Sequence, residues 1–384
     1  MGDTDNTKQS FLDGRAALTG KVALVAGGGG GLGRAVALDF ARAGMHLAIC
    51  DRDEDALEST ADEAREIGAT VADSMLDVRD SAALDRFFEF ADAAFDTLDV
   101  LVNVVGGTFR SDFLDVNAKG VDTLIRTNFT WVTEAIQLAA TRMAKTGGGS
   151  IMTITSIEAH RAAPRYAVYA AMKAAVTHLS KILAVELGPA GIRVNCIAPD
   201  IVPTVGMGRL MGAGGRDADD PVDAVQIPLA RKGRAEDVGN CALFLASEMS
   251  SYITGTTLHP DGGALASSGW LQWPGAGWTA RPPAGAFSEV RGDEGARDAQ
   301  DSMSELSSCV SGNCLWQPEL AVSRGKLTSG RTRPHERKVD WHGVDGQGES
   351  AGDSARRKST RGRQGRSGED RNSPDQEAGR HSSA

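Results

Sequence analysis

Cysteine is scarce, with five in 384 residues. Cys50, Cys196 and Cys241 fall in or beside apolar segments, while Cys309 and Cys314 lie far along the chain. No framework of paired spacings is present, which excludes a disulfide-stapled scaffold. The Cys309/Cys314 pair has no second Cys or His pair at ligand spacing, which argues against a zinc site, so no metal is expected. An excess of positive charge is also missing, since 41 Lys/Arg stand against 51 Asp/Glu. From Arg281 onward there are 17 basic and 16 acidic residues, which leaves 24 basic and 35 acidic before it. A region that acidic is a poor surface for duplex nucleic acid or an anionic membrane, and neither is expected as a partner. No run reads as apolar and long enough to span a bilayer. The opening "MGDTDNTKQSFLDGRAALTG" lacks the basic flank and apolar centre of a secretory signal, so a cytoplasmic place is expected.

What is present divides the chain. Residues 18–275 are rich in Ala, Val, Leu and Ile and can bury a sizeable core. Residues 1–17 read as a flexible N-terminal segment, and 276–384 as a low-complexity tail expected to be disordered. Its basic cluster "RRKSTRGRQGR" reads as solvated rather than as a nucleic-acid contact. Within 18–275, the apolar runs "KVALVAG", "HLAICD", "TVADSMLDV", "LDVLVNVVG", "GGGSIMTITS" and "IRVNCIAP" alternate with segments of helical periodicity. That alternation predicts βαβ units in an α/β domain, with a doubly wound parallel sheet covered on both faces. A last strand, "TTLHPDGG", is interrupted by Pro260, which cannot donate to a ladder and so marks an edge or an end.

The stretch "AGGGGGLG", Ala26–Gly33, ends the first strand and opens a helix. Strand, tight turn and helix N-terminus together aim backbone N–H groups and the positive end of a helix dipole at one point. A pyrophosphate suits that point, and glycine is required where the backbone approaches it or takes positive φ. The acid closing "HLAICD", Asp51, stands where such a fold places an adenosine ribose.

Gly27-x-x-x-Gly31-Leu32-Gly33, Asn103 and Gly106 in "NVVG", Asn128, Ser156, Tyr169-x-x-x-Lys173 and "RVNCIAPD", in this order between Leu18 and Gly263, resemble the short-chain dehydrogenase/reductase family of Rossmann-fold oxidoreductases. Tyr169 and Lys173 lie four apart in a helical pattern and share one face. A phenol ionises near pH 10, and a neighbouring ammonium is expected to lower that value toward general acid/base use. The resemblance implies that Lys173 also grips the nicotinamide ribose, that Ser156 hydrogen-bonds the substrate oxygen, and that Asn128 holds a water linking Lys173 to solvent. It further implies Asp77 and Val78 at the adenine and Pro199 and Thr204 at the nicotinamide; Asp77 reads equally well as a helix N-cap. Tyr166 has no lysine four residues on and reads as packing or substrate wall.

A carboxylate at Asp51 favours NAD over NADP, although Arg52 beside it could meet a phosphate. Departures from the family pattern are Ala26 for a threonine, Val104–Val105 for Asn-Ala, and Asp200 for a glycine, which bears a cost if that position needs positive φ. Expected pocket walls are "GGTFRSDF", "IEAHRAAPRY" with Glu158 and His160, and a lid over "VGMGRLMGAGGRDADDPVDAVQIPLARKG" whose Met207, Leu210 and Met211 suit a hydrophobic substrate. "GWLQWPGAGW" is expected to anchor the chain on its own domain or on a neighbouring subunit. The resemblance implies a homo-oligomer, tetramer or dimer, acting on a small-molecule alcohol or ketone. A non-catalytic dinucleotide sensor or scaffold, with the tail as its interaction module, is the alternative.

Overall fold

Strand β1 (Val22–Ala26) is buried at every residue because both of its faces are covered. Ala23 and Val25 pack into one apolar layer and Leu24 and Ala26 into the other, the period-two alternation of a strand. The computed structural model describes residues 11–204 and 221–283. After a short helix α1 (Phe11–Ala16), β1 leads through the glycine turn into α2 (Gly31–Arg42), and β2 (His46–Asp51) follows. Helix α3 (Glu54–Ile67) starts on Asp53, whose carboxylate accepts from Ala56 N, carries Glu54 and Asp55 in its first turn and ends on left-handed Gly68. Then come β3 (Val71–Met75), α4 (Ser81–Ala94), β4 (Val100–Asn103), α5 (Ala118–Ile125), α6 (Trp131–Thr146), β5 (Gly149–Ile154), α7 (Ala167–Leu187) and β6 (Ile192–Ile197). The remaining elements are α8 (Pro221–Gln226), α9 (Ala235–Ala246), β7 (Thr257–Leu258), α10 (Ala264–Ser267) and the hairpin β8 (Leu271–Trp273) with β9 (Gly277–Thr279).

Seven strands form one parallel sheet in the order β3-β2-β1-β4-β5-β6-β7. The predicted doubly wound Rossmann architecture is what forms. Chain order reverses direction between β1 and β4, where Ala26 pairs with Asn103, so the strand ends open a crevice at that switch point. On one face α2, α3 and α9 supply Phe40, Leu57 and Leu245; on the other α4, α6 and α7 supply Phe87, Trp131 and Val176. β7 is two residues long at the sheet edge and stops before Pro260, as a missing N–H requires.

Helix α7 corrects the expectation that no segment is long and apolar enough for a bilayer. By length and composition Ala167–Ala190 passes that test. It nevertheless packs on β6 as a helix of the α/β layer and carries the buried Lys173. The tryptophan stretch forms the β8–β9 hairpin, whose β8 packs against α8. Only Trp273 turns substantially inward; Trp270 and Trp278 remain about half exposed.

Candidate active site

The glycine turn closes tightly over the end of β1. Gly27 takes φ 95° and Gly31 φ 53°, left-handed values that other side chains rarely adopt. The amides of Gly27 and Gly28 both donate to Cys50 O, at 2.8 and 3.0 Å. A Cβ on Gly33 would fall inside the carbonyl oxygen of Gly27, so helix and turn can approach this closely only with glycine there. Gly30, the N-cap of α2, makes no side-chain cap, and a Cβ there would meet nothing within 4 Å. The first-turn N–H groups of α2, on Gly31, Leu32 and Gly33, have no partner within their own helix and stand at the positive end of its 12 residues. That cradle fits a pyrophosphate. The methyl group of Thr204 lies 3.2 Å from a Cβ built on Gly31, which sets Thr204 over the turn.

Asp51 ends β2 with its carboxylate fixed by amides. Oδ2 accepts from Gly29 N at 3.1 Å, and Oδ1 from Arg52 N at 2.8 Å and Asp53 N at 3.2 Å. Asp77 is not a helix cap: Asp80 caps α4, accepting from Ala82 and Ala83 N. The Asp77 carboxylate instead holds Arg79 Nε at 2.9 and 3.0 Å, and that bond keeps it below its ordinary pKa. Val78 is core. Asn103, at the end of β4, is buried, donates to Thr153 Oγ1 at 3.2 Å, and keeps an Oδ1 without a partner among the described residues. Val104 and Val105 donate their amides to Ala26 O, and the Val105 side chain presses on Gly27, so this loop presents methyl groups where the family pattern has an amide.

Asn128 sits in a π-helical turn, Arg126–Thr130, between α5 and α6. Its side chain takes the carbonyl of Leu124, four residues back, at 2.9 Å, and Trp131 Nε1 takes that of Thr127 at 2.8 Å. These are the carbonyls an α-helix would pair with its own amides, which accounts for the widened turn. The same amide group closes on Gly107, donating to its carbonyl at 2.8 Å and accepting from its amide at 3.2 Å. Gly106 has no room for a side chain, since a Cβ would stand 2.9 Å from Lys173 Nζ and 3.2 Å from Asn128 Oδ1. Asn128 and Lys173 thus meet at the end of β4.

Ser156 caps the short turn Ile157–Ala159, its Oγ accepting from Glu158 N at 3.2 Å, and its hydroxyl faces the Tyr169 phenol closely enough to favour the phenolate. Lys173 is 4% exposed. Its ammonium donates to Ile154 O at 2.9 Å and lies 5.8 Å from the centre of the Tyr169 ring. The expected depression of the tyrosine pKa is absent. Burial pushes the phenol up and the Glu158 charge adds to it, while the Ser156 hydrogen bond pulls the other way. Lys173 spends its proton on a carbonyl and is itself pulled by burial down to about 8. Pro199 is buried behind this site and accepts from Ile157 N at 3.1 Å.

A charged rim follows Ser156. Arg161 Nη2 bridges Glu158 Oε1 at 2.9 Å and Asp200 Oδ1 at 3.3 Å. Asp200 does not take positive φ, so its departure from glycine is not a strained turn but a side-chain partner for Arg161. Burial, opposed by Arg161 and reinforced by Glu158 and Asp261, raises its carboxyl from 3.8 to about 6. The fold therefore holds the Asp200 proton more tightly than the unfolded chain does. Stability from this group is complete below pH 4 and is lost as pH rises through 6. Asp200→Asn is expected to match the unaltered protein near pH 4 and to exceed it at pH 7 by on the order of 2 kcal/mol, read from urea unfolding at the two pH values. Beside this rim His160 stands edge-on to His259, ring centres 4.6 Å apart, and burial followed by His259 and Lys181 lowers its pKa.

An apolar wall stands just before Tyr169 in the chain: Phe109, Phe113, Val116 and Leu124 converge on Tyr166, the residue that opens α7. Two bonds fasten that wall to the α7 loop, Ser111 N to Arg165 O at 3.1 Å and Arg165 Nε to Asp112 Oδ1 at 3.0 Å. The expected lid falls largely outside the described residues, and Met207, Leu210 and Met211 with it. Its described base carries a buried ion pair, Lys232 Nζ to Asp223 Oδ2 at 3.1 Å. Sequence reasoning named Glu158, His160 and Asp200 but missed Arg161 and His259. Arg161 stands three residues after Glu158, a spacing that could have been read; His259 arrives from β7, and nothing local announces it.

Residues 27–264 match the family model described as enoyl-(acyl carrier protein) reductase. The chain is 32% identical over 248 residues to 7alpha-hydroxysteroid dehydrogenase of Escherichia coli (strain K12), covering 65% of this chain and 95% of that protein. It is 33% identical over 266 residues to cyclohexanol dehydrogenase of Rhodococcus sp. (strain TK6), covering 64% and 96%. The solved structure of a 7α-hydroxysteroid dehydrogenase complexed with NADH and 7-oxo glycochenodeoxycholic acid superposes with a TM-score of 0.62 at 31% identity, over 66% of this chain and 98% of that one.

Proposed function

The chain belongs to the short-chain dehydrogenase/reductase family of nicotinamide-dinucleotide oxidoreductases, and from that premise we propose that it interconverts a secondary alcohol and a ketone with Tyr169 as the general acid/base. The observation that carries the reading is the Ser156 hydroxyl facing the Tyr169 phenol, one helical turn before a buried Lys173. When bound, the nicotinamide supplies the hydride acceptor or donor. Ser156 holds the substrate oxygen, and Tyr169 gives or takes its proton at that oxygen. Lys173, which donates to Ile154 O and stands 5.8 Å from the centre of the Tyr169 ring, would bind the nicotinamide ribose rather than activate the phenol directly. Asn128 fixes Gly106–Gly107, the loop that closes the lysine pocket. The apolar wall of Phe109, Phe113 and Tyr166 suits a hydroxyacyl, steroid-like or other hydrophobic body on the substrate. A dinucleotide sensor has no need of this set, and nothing in the geometry favours that reading.

NAD is the proposed cofactor over NADP. The amide-fixed Asp51 carboxylate accepts from ribose hydroxyls and repels a 2′-phosphate, and Gly30 brings no positive charge to the turn. Asp51→Ala is expected to lower kcat/KM with NADH by about tenfold, the scale of one charge-assisted hydrogen bond, and to raise the NADPH:NADH ratio. Paired initial-rate measurements check both.

A homo-oligomer, tetramer or dimer, is proposed through α6 and α7. Between them runs a groove of about 350 Å³ lined by Ile136, Ala140, Leu179, Leu183 and Leu187, with Ile182 and Val185 exposed beside it. Light scattering on the purified chain is expected to return a multiple of 40.2 kDa. The three described cysteines are all free thiols, which suits the proposed cytoplasmic setting.

A further inference from the structure

Two clusters of opposite character border the chain around Ser156 and Tyr169: one ends at Val168, just before Tyr169, and the other begins at Glu158, just after Ser156. One is the aromatic surface of Phe109, Phe113 and Tyr166; the other is Glu158, Arg161 and Asp200. Glu158 is tied to the reacting position by its own backbone, because its N–H lies 3.2 Å from Ser156 Oγ. Glu158 therefore starts beside Ser156, and its charge reaches the Tyr169 phenol, so the carboxylate stands near the position of the reacting oxygen. Arg161 fixes Oε1 at 2.9 Å, which removes the rotamer freedom that a long exposed acid would otherwise lose on binding. Oε2 has no hydrogen-bond partner among the described residues.

An ionised carboxylate only accepts, so its complement is an O–H or N–H donor. Arg161 stands in contact with it and Lys173 is buried behind the tyrosine, so an ammonium on the substrate would face like charges. A neutral hydroxyl meets no such penalty. An anionic substrate is disfavoured as well, since Glu158, Asp200 and Asp261 outnumber Arg161 at this rim.

We infer that Glu158 is a specificity-determining residue that accepts a hydrogen bond from a second hydroxyl on the carbon next to the reacting one, so that the substrates are vicinal diols and the matching α-hydroxy ketones on an apolar ring or chain. This rests on the dehydrogenase reading above and names its substrate class. The chemistry balances as a two-electron oxidation. One carbinol loses a hydride to oxidised nicotinamide and its hydroxyl proton to Tyr169, which passes the proton to solvent, while the second hydroxyl stays intact.

The test compares cis-1,2-cyclohexanediol with cyclohexanol, each with NAD, in the unaltered protein, Glu158→Ala and Glu158→Gln. The unaltered protein is expected to favour the diol about tenfold or more in kcat/KM, mainly through KM, as one charge-assisted hydrogen bond allows. In Glu158→Ala the ratio falls to within about threefold of one. In Glu158→Gln it lies between, because the amide oxygen still accepts. A readout without turnover accompanies it: with NAD present, Tyr169→Phe protein is expected to gain more thermal stability from the diol than from cyclohexanol, and the Tyr169→Phe/Glu158→Ala double variant is expected to lose that difference. Turnover of both alcohols without preference, or a preference that survives Glu158→Ala, overturns the inference and leaves the dehydrogenase reading standing. Failure of both alcohols to react or to stabilise the protein, while cyclohexanone consumes NADH, overturns it too. If no alcohol or ketone reacts, the dehydrogenase reading falls and the inference with it.

Discussion

Tyr169→Phe is expected to lower kcat for ketone reduction by about 10²–10⁴-fold, the range of a lost general acid, while changing NADH affinity little. The phenyl ring keeps the packing and loses only the hydroxyl that Ser156 faces. Burial and Glu158 hold the phenol above its ordinary pKa, so under the proposed role Tyr169 would enter the reductive direction with its proton in place. Oxidation needs the phenolate, so its rate is expected to climb with pH above 7 while reduction stays flat, and the Phe variant is expected to lose the slope. NADH fluorescence titration and rates in both directions across pH separate these effects. An unchanged kcat would remove Tyr169 from the reaction.

Gly33→Ala is expected to be the most damaging Gly→Ala change among the described residues. The atom it would strike is the backbone carbonyl of Gly27, which cannot swing aside as a side chain would. Relief requires moving α2 away from the turn, and overpacking of this kind costs about 1–3 kcal/mol even in forgiving cores. The expected outcome is a lower Tm together with at least about hundredfold weaker NADH binding, since the displaced N–H groups are those that would face the pyrophosphate. Gly30→Ala is the control: its Cβ meets open space, so Tm is expected to hold while NADH binding weakens. Equal NADH affinity in Gly33→Ala and the unaltered protein would show that this turn does not hold the dinucleotide.

Much of this architecture could be read before any coordinates. The strands were legible because parallel strands covered on both faces are continuous apolar runs, as β1 is, and Pro260 announced where β7 must stop. β3 ran shorter than its apolar pattern because the turn closed by Asp80 N on Asp77 O ends it. The site was legible where spacing and helix geometry coincide, as for Tyr169 and Lys173 on α7. Its electrostatics were not. The sequence places an ammonium four residues from a phenol, but only the fold shows that the ammonium is spent on Ile154 O and that Glu158 opposes it. Asp200 likewise looked like backbone strain and is instead one arm of the Arg161 bridge, formed across 39 residues of sequence. The π turn at Asn128 was hidden because no propensity encodes a side chain competing for a carbonyl four residues back.

The claim on which the rest depends is that this cleft moves a hydride and that Tyr169 moves the proton with it. It is tested most directly by incubating the protein with cyclohexanone and NADH deuterated at C4 of the nicotinamide, then reading deuterium in the cyclohexanol formed. The account predicts deuterium at the carbinol carbon with the unaltered protein and none above background with Tyr169→Phe, although both bind NADH. Tight NADH binding with no deuterium transferred to any ketone of a graded panel would contradict it.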